Sequence, residues 1–174
     1  MAIKTIITEP NEILRQKSYP VEYVGKEEQN IMNDMLETMY NSSGIGLAAI
    51  QIGIPKRIIV LDISRGEEKK NPMYFVNPVI SNKNSESSTY EEGCLSVPNY
   101  FAEIDRPRTC EIEYLDYNGK KKLLKAEGLL ATCLQHEIDH LEGILFIDYL
   151  SKLKKTMIAK KLSKQKNRPD RIIV

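Results

Sequence analysis

The sequence predicts an α+β fold: short, mostly antiparallel strands packed around a central helix, with further helices towards the N- and C-terminal ends. Three observations carry this. Stretches 26–40, 129–142 and 151–166 read as separate helices. The runs between them are short and either β-branched or alternating in polarity. The strands do not alternate regularly with helices, which argues against a doubly wound parallel sheet. At 174 residues the chain suits one domain with a proper core.

The elements follow in order. Residues 26–40 (KEEQNIMNDMLETMY) repeat Met32, Met35, Leu36 and Met39 at helical spacing and place acids in the first turn, where they complement the helix dipole. Asn41-Ser42-Ser43-Gly44 ends that helix. Residues 57–63 (RIIVLDI) are a short β-branched run that reads as a buried strand. Residues 73–80 hold a second strand, interrupted by Pro78, and 81–89 (SNKNSESST) read as a polar loop. In the next strand Cys110, Ile112 and Tyr114 alternate with Glu111 and Glu113, so one face is dry and the other wet. Asn118-Gly119 follows as a two-residue hairpin turn, with 120–127 as the return strand. Gly128 opens a helix over 129–142 and Gly143 closes it. A last, basic helix covers 151–166, with Pro169 as its stop.

Composition narrows the class. Apolar residues at 41% and charged residues at 28% fit a soluble globule, and no apolar run approaches the ~20 residues that span a bilayer. The start, Met1-Ala2-Ile3-Lys4-Thr5, lacks the apolar stretch of a signal peptide. Three cysteines, at 94, 110 and 133, are too few and too odd in number for a disulfide framework. A reducing cytoplasm is therefore expected, leaning towards a bacterial one, in which a cysteine can serve as a thiolate ligand. The net charge of +1 hides an asymmetry: residues 152–174 carry nine bases and one acid, a net +8, and the remainder is −7. That split predicts a basic arm that meets an anionic partner.

The chain has two histidines, and both fall in His136-Glu137-Ile138-Asp139-His140. Residues four apart share one helix face, so both imidazoles can bind one metal ion, with Glu137 placed as a base towards water. Catalytic sites of this kind use three protein ligands and leave one position for water. Cys133 is about 10 Å along the helix axis from His140 at 1.5 Å per residue, too far to converge easily with 136 and 140. Cys110 sits on a dry strand face and reads as core. Cys94, in Glu91-Glu92-Gly93-Cys94-Leu95-Ser96 ahead of Pro98, is the favoured third ligand. Taken singly, a free cysteine is most often a small buried hydrophobe, and an H-E-x-x-H string is also met on solvated helix faces.

Three strings stand in order: Gly44-Ile45-Gly46-Leu47-Ala48-Ala49-Ile50-Gln51, Glu92-Gly93-Cys94-Leu95-Ser96 and His136-Glu137-Ile138-Asp139-His140. The sequence resembles the peptide deformylases, which remove the formyl group from the N-terminal methionine of new bacterial or organellar proteins. The resemblance covers essentially the whole chain, including Pro10…Leu14-Arg15 and Asp148-Tyr149-Leu150-Ser151. It implies that Cys94, His136 and His140 hold one divalent metal, Fe(II) natively, with zinc, nickel or cobalt able to substitute. Ligand chemistry alone would say zinc. It assigns proton transfer to Glu137 and stabilisation of the developing oxyanion to the metal, the Gln51 amide and the Leu95 N–H. The substrate methionine is expected against Leu129, Thr132 and Cys133, which share the metal-facing side of the helix with His136. Ile45 and Tyr90 close that pocket, and Gly44 and Gly46 let a peptide pair as an added strand. Arg106 holds the peptide or braces the loop. Glu92 and Asp139 orient ligands or are surface acids. Each of these pocket side chains would equally well pack a core.

The domain reading is a catalytic deformylase domain over 1–150 and a basic C-terminal helix and tail over 151–174, an extension of the same domain. The resemblance implies that such an extension docks on the ribosome, where its cations meet RNA phosphate; the plainer reading is a solvated charged helix. The substrates implied are formyl-methionyl nascent peptides, and neither membrane nor DNA is an expected partner. Two alternatives stay open at this point. A zinc metalloprotease shares H-E-x-x-H but ordinarily adds a carboxylate or histidine, and the chain has no third histidine. A non-catalytic, metal-stabilised ribosome-binding module would need neither Gln51 nor Glu137.

Overall fold

The computed structural model describes residues 2–64 and 69–166. Among them are three helices, α1 (Lys26–Asn41), α2 (Gly128–Leu141) and α3 (Lys152–Lys166), and two sheets, with α2 in contact with both sheets. The larger sheet joins β1 (Gly46–Ala48), β2 (Ile58–Leu61), β3 (Met73–Lys83), β6 (Thr109–Leu115) and β7 (Lys121–Glu127), in the spatial order β1-β2-β3-β6-β7. The smaller is a hairpin of β4 (Ser87–Cys94) and β5 (Val97–Pro107). All the strand pairs are antiparallel, so the α+β expectation holds. Single 3-10 turns lie at Glu12–Arg15, Ala49–Ile52 and Phe146–Tyr149. No helix among the described residues is long and apolar enough to cross a membrane.

The core explains why β2 is apolar without alternation. Ile58 and Val60 pack with Met32, Met35 and Met39 of α1. Ile59 and Leu61 turn the other way, to Leu134, Ile138 and Leu141 of α2. Both faces of the strand are buried, so every position wants an apolar side chain. A third cluster joins Val97 and Ile104 of β5 to Phe146, Ile147 and Leu162 of α3. The first turn of α1 is tied down by its own acids: the Glu28 carboxylate accepts the Gly25 N–H (3.0 Å), and Lys56 pairs with Glu27 and Glu28. Gly143 ends the α2 turn at φ +73°, and a Cβ there would run into the Arg15 backbone, so that close approach requires glycine.

Three expectations need correction. Residues 81–89 are not a loop: β3 runs on to Lys83 and β4 begins at Ser87, leaving 84–86 as the turn. Their polarity reflects wet strand faces. Pro78 does not interrupt β3, because the pairing with β6 shifts register between Val76 and Val79 and leaves the proline in the irregular stretch. Asn77, at φ +51°, fixes it by exchanging side-chain hydrogen bonds with the Val21 N–H and C=O. The turn around Asn118-Gly119 is longer than two residues. Leu115 pairs with Lys121, and the Asp116 carboxylate accepts the N–H groups of Asn118 and Lys120. The basic helix begins at Lys152, and its expected stop at Pro169 lies outside the described residues.

Candidate active site

The middle of α2 is buried on nearly all sides and points His136, Glu137 and His140 at the end of β4. There the pairing with β5 slips between Gly93 and Cys94, and the chain reverses through Leu95-Ser96. The irregularity aims the Cys94 sulfur inward. Its Sγ lies 3.2 Å from His140 Nε2, and one donor atom each from Cys94, His136 and His140 all lie within 4.8 Å of one another. A thiol and two imidazoles at this spacing suit a divalent transition metal.

The two imidazoles are held differently. His136 Nδ1 donates to Glu92 Oε2 (2.8 Å), which leaves Nε2 as the free donor atom. Glu92 is gripped in turn by Arg106, whose Nε and NH2 bond its two oxygens. Arg106 NH1 reaches Asp139 Oδ2 (2.8 Å), which also accepts the Tyr149 hydroxyl (2.8 Å). Burial pushes the Glu92 carboxyl up, but its bonds from His136 and Arg106 outweigh that and keep it ionised. His140 has no partner at Nδ1 among the described residues. Burial, then the neighbouring His136, lowers the pKa of His140 well below the imidazole range and keeps it a neutral donor.

Gln51 sits on the single turn after β1. Its Oε1 accepts the Ala48 N–H (2.8 Å), and that bond settles which way the amide faces. Nε2 then points at Ser96 Oγ (3.0 Å) and the Cys94 sulfur (3.6 Å). Glu137 is buried, and its Oε2 has no hydrogen-bond partner among the described residues. Burial raises its carboxyl to about 7, with His136 pulling the other way. Its other oxygen lies so close to Gly46 that any Cβ there would collide with it. A side chain at 46 would displace the Glu137 carboxyl and press on Leu61.

These groups open onto a mostly apolar cavity of about 470 Å³. Gly44, Ile45, Gly46, Gln51, Tyr90, Cys94, Leu95, Leu129, Thr132, Cys133, His136 and Glu137 all line it, so the structure brings these sequence-selected residues together. His140 closes the cluster from behind. Arg106 stands apart: it is buried beneath the hairpin, bonded to Glu92 and Asp139, and its contacts fit the bracing alternative and not a hold on peptide. Among the lining or supporting residues without a role in the sequence reading, Ser96 and Phe101 stand out. Ser96 was visible inside the cysteine string, but its bond to Gln51 joins positions 45 residues apart. Phe101, 67% exposed at the cavity's edge, becomes visible only once β4 and β5 are known to pair.

A metal donor set beside a buried, unpartnered carboxyl and an oriented neutral amide defines a class, the metal-dependent hydrolases. Within that class the chain belongs to the polypeptide deformylase family, whose model matches residues 3–156. It is similar to the peptide deformylase of Pelagibacter ubique, at 73% identity over the full length of both chains. That of Rhizobium meliloti is 54% identical over 94% of each. Among solved structures, peptide deformylase from Ehrlichia chaffeensis superposes with a TM-score of 0.90 at 41% identity, covering 95% of this chain and 97% of that one. The same enzyme in complex with actinonin gives 0.90 at 42% identity. Membership removes the metalloprotease and binding-module alternatives: this is a hydrolase that takes the formyl group from N-terminal methionine.

Proposed function

We propose that Cys94, His136 and His140 hold the metal, Fe(II) in the cell with zinc, nickel or cobalt able to replace it, and that Glu137 moves the proton. The single observation that carries this is the buried Glu137 carboxyl, its Oε2 without a partner among the described residues, raised to about 7 and facing the same cavity as Cys94 and His136. A bound divalent ion supplies Lewis acidity, which acidifies water and polarises the formyl oxygen. Glu137 takes the proton from water as it attacks the formyl carbon, and returns it to the departing amine. The C–N bond breaks to give formate and a free N-terminal methionine. The Gln51 amide N–H and the Leu95 backbone N–H donate to the oxygen that gathers charge; an amide does so without changing protonation. Leu129, Thr132, Cys133, Ile45 and Tyr90 receive the methionine side chain, and Gly44 and Gly46 present backbone to the peptide as it leaves the cavity.

The body over 1–150 is the catalytic unit in this reading, and 151–174 is an extension that brings it to the ribosome by meeting RNA phosphate. The setting is cytoplasmic, where formyl-methionyl chains emerge. The test is formate release from formyl-Met-Ala-Ser by protein prepared without oxygen and loaded with iron or nickel. Turnover that a chelator abolishes is expected, and Glu137→Ala should keep the metal while losing about 10²–10⁴-fold or more in kcat. Near-normal kcat in that variant removes Glu137 from the mechanism.

A further inference from the structure

Asp62 lies just past β2, outside the cavity, and is 3% exposed. Among the described residues its carboxylate accepts four hydrogen bonds, from Tyr40, Ser64 and Asn71. Oδ2 takes the Tyr40 hydroxyl at the end of α1 (2.5 Å) and the Asn71 N–H (3.0 Å). Oδ1 takes the Ser64 N–H (2.9 Å) and hydroxyl (2.6 Å). Lys70 Nζ lies over the Tyr40 ring, 3.9 Å from its centroid. The Asp62 N–H donates to the Ile45 carbonyl (2.9 Å), one step beyond the Gly46–Leu61 pair. Ile45 and Gly46 line the cavity.

β1 has only three paired residues. So short a ladder fixes its strand weakly, and its position depends on what holds its ends. A buried carboxylate is costly unless it is fully bonded. Here the bonds gather the end of α1, Ser64 and Asn71 at the residue that also holds Ile45. We infer that Asp62 is a positioning residue: it fixes the Ile45–Gly46 lip on which the substrate's peptide backbone lies, and so sets affinity for extended substrates. This rests on the deformylase reading of the cavity.

The test uses Asp62→Asn in the nickel-loaded enzyme. An asparagine has one acceptor oxygen, so in either orientation its NH₂ faces a backbone N–H, that of Ser64 or of Asn71. kcat and KM are measured for formyl-Met-Ala-Ser and for formyl-methionine, which has no backbone beyond the methionine. Amide hydrogen exchange at 45–47 is measured in parallel. The expected result is a KM for the longer substrate raised about tenfold, with kcat within about twofold. kcat/KM for formyl-methionine, which meets the lip only through Ile45, should fall clearly less than that for the longer substrate, by about two- to threefold, and exchange at 45–47 should quicken. Tyr40→Phe removes one of the four bonds and should move the same quantities in the same direction by about two- to threefold, and it decides the matter if Asp62→Asn does not fold. An unchanged KM for the longer substrate with unchanged exchange, or an equal loss of kcat on both substrates, overturns the inference. A wild-type protein inert on both substrates would sink the deformylase reading instead, while the exchange measurement still reads Asp62's hold on the lip.

Discussion

α2 and α3 are nearly equal in length, 14 and 15 residues, and opposite in almost everything else. Ten residues of α2 are buried, including both histidines and Glu137. α3 rests on the body through Ile158, Leu162 and one ion pair from Lys155, and turns Leu153 and Met157 to solvent. The difference teaches where each kind of work can sit. A metal site must hold donor atoms to fractions of an ångström, which needs packing from all sides. The charged face of α3 is under no such demand, and among the described residues the helix rests on the body chiefly through Ile158 and Leu162.

The sharpest way to break the contrast is to loosen what stands behind α2. Glu92→Ala leaves Arg106 buried with only Asp139 and Tyr149 to meet its charge, and frees His136 Nδ1. Removing one partner of such a buried pair costs about 3–5 kcal/mol, read as a lower denaturant midpoint. Metal affinity should fall about 10–100-fold in competition with a chelator, since the imidazole loses the group that orients it. If the affinity is untouched, His136 is held by packing alone and the Glu92–Arg106 pair serves the hairpin only.

A smaller effect is expected at α3. Ending the chain at Ser151 removes Leu162 and Ile158 from the cluster under β5, worth roughly 1.5–3 kcal/mol for each fully buried side chain and less for the half-buried isoleucine. Turnover of small formylated peptides should stay within about twofold, because no described side chain of α3 lines the cavity. Co-sedimentation with ribosomes should be lost, and in the full chain it should weaken steeply with salt. Turnover lost with α3 would erase the contrast and make the helix part of the catalytic unit.

How much of this was legible follows the same division. The meeting of the two imidazoles could be read because i, i+4 spacing alone puts them on one face, and the basic helix because charge is counted without a fold. The hairpin β4–β5 could not, for a physical reason. Its inward positions include Glu92 and Arg106, an ion pair and not an apolar couple, so the alternation that marks a strand is absent where the site needs it. The Gln51–Ser96 bond and the Asp62 cluster join segments far apart in sequence, and nothing local announces them. The unbroken run of β3 through Pro78 was illegible in the same way, since the irregularity that tolerates the proline depends on Asn77 bonding Val21, 56 residues earlier.

The least effect expected lies at the foot of α3, and it shows what kind of anchor the helix has. Asp148 Oδ2 accepts Arg15 NH1 (2.6 Å) and the Leu145 N–H (2.9 Å), and Lys155 Nζ of α3 meets Oδ1. Burial pushes this carboxyl up, but the bonds from Lys155, Leu145 and Arg15 outweigh it, so the folded value lies below the ordinary 3.8. A folded value below the unfolded one gives stability that is fully present above the unfolded value and is lost as pH falls through the folded one. The anchor is therefore at full strength at neutral pH and weakens below about pH 4. With Lys155 44% and Arg15 31% exposed, solvent screens the pairs, and the contribution is about 1 kcal/mol. The Tm of the wild type should exceed that of Asp148→Asn by roughly 2–4 °C at pH 7, with the gap closing in acid. A gap that does not change with pH would mean that Asp148 acts through shape and not charge. In the chain ending at Ser151 the same comparison keeps the Arg15 share and loses the Lys155 share, so the difference between the two gaps measures how much of α3's hold is electrostatic.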